Sequence, residues 1–169
     1  MKLITDISNK NSLAKTFLIN INLDKKFPLE FEDFQLKDEF HITLLGNNLA
    51  DDFYKFLKKI KSPEEILGIY EKIENKINKL LVAAEISYGK YYKFKKEYEN
   101  CELRESIIQK TNFNLYEEFF RFLEGKFGYY PKRGIPICHI TIYSKNKPIG
   151  LNTYKDFEKY KIGEIKEFE

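Results

Sequence analysis

Hydrophobic and polar positions first alternate over Lys15–Leu23, where Phe17, Ile19 and Ile21 are interleaved with Leu18, Asn20 and Asn22. A period of two, rich in β-branched and aromatic residues, predicts a strand. Phe40–Leu45 is a second β-rich apolar run, closed by Gly46, Asn47 and Asn48, which signal a turn. A short helix is predicted over Asp51–Ile60. Beyond it the period lengthens. Ser62 is a good N-cap, Pro63 suits the first helical position, and Glu65 completes a capping box. Ile66, Ile69, Tyr70, Ile73, Ile77 and Leu80 then recur at helical spacing as one apolar stripe, which predicts a helix packed on a sheet.

From Val82 to about Gln109 the pattern returns to β, as two strands around the polar stretch Lys95–Asn100. A helix is predicted over Asn114–Lys126, carrying Phe119, Phe120 and Leu123. An aromatic and basic loop follows, with Tyr129, Tyr130, Lys132 and Arg133. It leads into the strand Ile137–Ser144. A short helix over Tyr154–Tyr160 and a last strand over Ile162–Phe168 complete the reading. No Pro/Gly/Ser-rich linker divides the chain, so residues 1–169 are expected to form one α+β domain. A weak duplication is visible: each half holds a β run, a helix, and a strand containing His-Ile-Thr.

Composition narrows the function classes. Hydrophobic residues are 43% and charged residues 33%, as in ordinary globular proteins. A net charge of +3 is too balanced for a surface that grips long duplex DNA, but it suits a short anionic ligand in a locally basic cleft. The two cysteines, Cys101 and Cys138, suggest neither a disulfide framework nor a zinc finger, and are expected as buried core thiols. Met1–Leu13 lacks the apolar run of a signal peptide, and nothing approaches the ~20 apolar residues that cross a bilayer. The expected location is the cytoplasm, or a host's cytoplasm if the gene is viral.

The chemistry is concentrated in the chain's two histidines. His41 lies in Phe40-His41-Ile42-Thr43-Leu44 and His139 in Cys138-His139-Ile140-Thr141-Ile142, inside the two most strand-like runs. Positions i and i+2 of a strand share a face, so each histidine stands beside its own threonine while the isoleucine points the other way. Imidazole titrates near neutrality, so one ring can accept a proton while the other donates one. Threonine hydroxyls can hydrogen-bond the non-bridging oxygens where phosphoryl charge builds up. A single such tripeptide would read as a core histidine; two that use every histidine in the chain point to paired catalysis. Zinc would need three or four ligands, and no such spacing occurs, so neither a metal nor another cofactor is expected.

Two His-φ-Thr-φ motifs, one per half of a small α+β chain, resemble those of the two-histidine (2H) phosphoesterase superfamily, which includes the RNA 2′,5′-ligase-like cyclic phosphodiesterases. The resemblance covers about Phe17 to Ser144. It implies a bilobal fold with pseudo-twofold symmetry, in which two antiparallel sheets line a central cleft and helices lie outside. It also implies a metal-independent hydrolase acting on 2′,3′-cyclic phosphates, 2′,5′-oligonucleotides or cyclic oligonucleotides, with His41, Thr43, His139 and Thr141 as the catalytic residues. The sequence does not assign acid and base; the working assignment is His139 as base and His41 as acid.

Tyr143 shares the strand alternation of His139 and Thr141, so it could stack on a base, or equally pack at a sheet edge. Tyr130, Lys132 and Arg133 suit nucleotide binding, or a solvated loop. The expected partner is a nucleotide or short RNA substrate, with no membrane and no long duplex DNA. The alternative is a non-catalytic module that binds a nucleotide or RNA end in the same cleft.

Overall fold

The computed structural model describes residues 1–7, 13–151, 153–166 and 168. Among them the chain is mixed α+β, with four helices and nine antiparallel strands. In order these are β1 (Lys2–Ile7), β2 (Lys15–Ile21), β3 (Glu30–Phe31), β4 (Phe34–Leu36), β5 (Phe40–Leu45), α1 (Asn47–Leu57) and α2 (Pro63–Leu81). There follow β6 (Ile86–Glu97), β7 (Leu103–Phe113), α3 (Asn114–Phe127), β8 (His139–Lys145), α4 (Tyr154–Tyr160) and β9 (Lys161–Ile165). No helix is long and apolar enough to cross a membrane.

The chain divides into two compact, interleaved units. One comprises Met1–Asn20, Thr43–Glu85 and Phe113–Lys132; the other comprises Ile21–Ile42, Ile86–Asn112 and Arg133–Glu169.

In the first unit, β1 and β2 form an antiparallel pair with Thr5 opposite Phe17, and α2 packs against β1 and α3. The predicted start of α2 is present in full. Ser62 Oγ accepts from the Glu65 N–H at 3.3 Å, while the Glu65 carboxylate accepts from the Ser62 N–H at 2.9 Å. The stripe from Ile66 to Ile77 is buried. It meets an aromatic core in which the Phe17 ring lies 6.1 Å from Tyr70 and 6.3 Å from Phe119. Helix α3 ends at Gly128, whose φ of +71° is a left-handed conformation that a side chain resists. The Gly128 N–H bonds back to Glu124 O, and that of Tyr129 to Leu123 O.

In the second unit the hydrogen-bonded order is β5-β8-β7-β6-β9, and the β3–β4 hairpin joins β8 through β4. Helix α4 packs on β6. Its Phe157 lies with Phe94, Ile108, Ile149 and Leu151 in a local core.

Several expectations change. Two sheets were expected, but the strands belong to one hydrogen-bonded sheet, because Ile42 of β5 pairs with Ile140 of β8. Helix α1 starts at Asn47 rather than Asp51, since Asn47 and Asn48, read as turn residues, form its first turn. Strand β9 stops at Ile165; Glu167, within the predicted strand, lies outside the described residues. Cys101 is not a core thiol. It is exposed in the β6–β7 turn at φ +59°, where a tight reversal excludes burial.

Candidate active site

The second unit builds its site on two neighbouring strands. Ile42 and Ile140 are directly opposed in the antiparallel β5–β8 ladder and both are fully buried. Counting one step from that pair sets His41 across from Thr141. His139 is then a diagonal neighbour of His41, at roughly 7–8 Å between backbone positions. Thr43, two residues after His41 on β5, belongs to the first unit. The two histidines and Thr141 are half-buried.

The alternation is corroborated from the far face. Gln109 opposes Ile140, and the Cys138 sulfur lies 3.2 Å from Thr111 Oγ1. Cys138 thus points away from the histidine side, as its position next to His139 in the strand requires.

The local geometry of His139 has a chemical consequence. Its Nδ1 lies 2.8 Å from the carbonyl oxygen of Ile137. A carbonyl only accepts, so Nδ1 carries the proton and donates it. Nε2 is left with its lone pair, which is the state a general base needs. Burial is the main cause that holds the His139 imidazole below its usual pKa; the Ile137 hydrogen bond pulls it back up, and the charge of His41 lowers it further. His41 is also lowered, first by burial and then by Lys37, against a smaller opposing pull from Glu39. Burial therefore favours the neutral form of both rings.

A residue that sequence reasoning missed completes the face. Lys110 of β7 opposes His139 in the ladder, on the same side. It is exposed, and its ammonium has no carboxylate partner among the described residues. Its Nζ lies 6.0 Å from the Phe157 ring centre, and Lys161 approaches the same ring at 5.4 Å. Gly89 allows the close strand approach here, since a Cβ at that position would meet the Lys110 carbonyl oxygen at 2.9 Å. Nothing in the local sequence marks Lys110; only the ladder register reveals it.

The expected substrate residues fare differently. Tyr143 is 0% exposed, its hydroxyl donates to Pro28 O at 2.8 Å, and its ring stacks on Phe168. No ring face is left for a base. The cause is a bulge: Ile108 opposes Thr141 but Ile107 opposes Tyr143, so Ile142 is an extra residue and alternation breaks beyond Thr141. Arg133 is exposed within the second unit, just ahead of Gly134 at φ +81°. Tyr130 and Lys132 belong to the first unit, where they line a separate hollow with residues of α1. Among the described residues, no three His, Cys, Asp or Glu side chains are grouped so as to hold a metal ion.

Comparison of the chain with family models, curated proteins and solved structures gives no match.

Proposed function

We propose that the protein is a metal-independent phosphodiesterase that hydrolyses a nucleotide phosphodiester by two-histidine acid–base catalysis. The observation that carries the proposal is that the strands bearing the two histidines are neighbours, with Ile42 opposite Ile140, while Ile137 O holds the His139 proton on Nδ1. In this reading His139 Nε2 takes a proton from the attacking water as its oxygen bonds to phosphorus. The bond from phosphorus to the leaving ribose oxygen breaks, and His41 delivers a proton to that oxygen. Each turnover moves one proton on to His139 and one off His41, and solvent restores both. Thr141 and Lys110 supply donors for the non-bridging oxygens, where charge accumulates, and the resemblance to two-histidine phosphoesterases would add Thr43.

Neutral resting histidines fit this scheme. An incoming phosphodiester anion favours the charged imidazole, so substrate binding itself promotes protonation of His41. The substrate class proposed is a 2′,3′-cyclic phosphate, a 2′,5′-oligonucleotide or a cyclic oligonucleotide, in keeping with the resemblance to two-histidine phosphoesterases. The exposed Cys101 thiol fits a reducing compartment such as the cytoplasm. The second reading, a non-catalytic nucleotide-binding module, draws on the depressed pKa of His41, which leaves no resting acid.

A turnover panel in excess EDTA separates the two. The expected result is cleavage of one substrate class, reduced about 10²–10⁴-fold in His41→Ala and in His139→Ala. Full activity in both variants would sink the acid–base scheme. Tight binding without any turnover would favour the module.

A further inference from the structure

The first unit holds a hollow of about 700 Å³, within the size range of small-ligand sites. Four lysines line it: Lys55, Lys58 and Lys59 at the C-terminal end of α1, and Lys132 after α3. None of the four ammonium groups has a carboxylate partner among the described residues. Elsewhere in the same unit Lys15 pairs with Glu74 and Lys76 with Glu118. Lys55 and Lys59 are four residues apart, a spacing at which like charges repel. The helix dipole favours cations at the end of α1. It does not account for Lys132, which arrives from another segment, nor for the hollow they share. One lining carboxylate, Asp52, cannot balance four cations.

A second observation points to a ligand. Tyr129 lines the hollow, is 6% exposed, and its hydroxyl is buried with no hydrogen-bond partner in the protein. Burial, and next the charge of Asp52, push its pKa up to about 12, so the phenol stays a donor. A buried donor without an acceptor is uncommon, and a phosphate oxygen would satisfy it. Tyr130, 49% exposed, adds an aromatic ring at the rim.

We infer that this hollow is a second binding site, distinct in residues from the histidine face, for a phosphate chain bearing a nucleobase. The lysines take the phosphates and Tyr130 stacks on the base. The chemistry is shared by a nucleoside triphosphate and a short single-stranded RNA.

The test measures binding of ATP and of a five-nucleotide single-stranded RNA by calorimetry, using the full chain carrying His41→Ala so that the probes survive. The expected result is that Lys58→Gln with Lys59→Gln raises Kd at least tenfold for one probe, which identifies the source. For RNA, the slope of log K against log salt should flatten by about 1.4, from two lost phosphate contacts. Lys61→Gln with Lys76→Gln, equal in charge but outside the hollow, should leave both values unchanged. Equal Kd and slope in the Lys58/Lys59 variant, or equal losses in the control, would overturn the site. With the histidines intact, the Lys58/Lys59 variant should turn over substrate like the parent protein, which separates this result from the phosphodiesterase proposal.

Discussion

Acidification should destabilise this protein through its two histidines before its carboxylates titrate. Both imidazoles have a folded pKa below the usual value, mainly because burial disfavours the charged ring. The unfolded chain holds them near ~6.5. Between that value and the lower folded one, the unfolded state binds protons that the folded state refuses. Stability is therefore complete above about pH 7, falls as pH drops through ~6.5, and levels off below the folded pKa. Each ring contributes at most about 1.4 kcal/mol per pH unit in that window, so the pair contributes at most about 2.8 kcal/mol per pH unit.

The perturbation that isolates one ring is His139→Gln, which keeps an N–H donor without a titrating group. Urea denaturation at intervals from pH 7.5 to 5.0 gives unfolding free energies for parent and variant. The parent curve should be steeper by up to about 1.4 kcal/mol per pH unit, with the excess confined below pH ~6.5. Carboxylates are common to both proteins and cancel in the difference. Parallel curves, or a steeper variant, would show that His139 takes up protons equally in both states. The account of its burial, and of its fixed Nδ1–H, would then be wrong.

Other expectations are simpler to state. Lys110→Gln should lower kcat/KM about tenfold or more, and Lys110→Arg should restore it, since a charge-assisted contact contributes about 1.5–3 kcal/mol; steady-state kinetics decides. Gly89→Ala should destabilise by about 1–3 kcal/mol, because the new methyl meets backbone that cannot step aside. A denaturation midpoint unchanged in that variant would mean β6 and β7 separate freely there. Ser62→Ala should cost about 1 kcal/mol through loss of the capping box, seen as a lower urea midpoint with an unchanged slope.

How far the sequence reveals this depends on which physical signal each element carries. Helix α2 was legible because its cap and its stripe are both local. Strand β5 and helix α4 match their predicted bounds, β5 ending where Gly46 opens helix α1 and α4 starting at the Thr153 cap. Strand β1 was missed: Lys2–Ile7 shows no clean alternation, and it becomes a strand by pairing with β2. Strands β3 and β4, two and three residues long, are shorter than any periodicity can register. At the site, the His-Ile-Thr repeats could be read directly because chemistry follows residue type. The roles of Tyr143 and Lys110 could not, because both depend on register: one bulge at Ile142 turns Tyr143 inward, and one ladder step brings Lys110 to His139.

The interleaved chain path also governs how the protein can be made. The first unit draws on Met1–Asn20 and is finished only by Phe113–Lys132, so Phe17 must wait for Phe119 before its core closes. At typical ribosome speeds that interval is on the order of ten seconds, long compared with hairpin formation in microseconds. The second unit waits longer, for Arg133–Glu169. Domain-by-domain folding during synthesis is thus closed to this chain. Its early apolar strands stay exposed on the ribosome, and neither unit can be isolated by cutting the gene at one point.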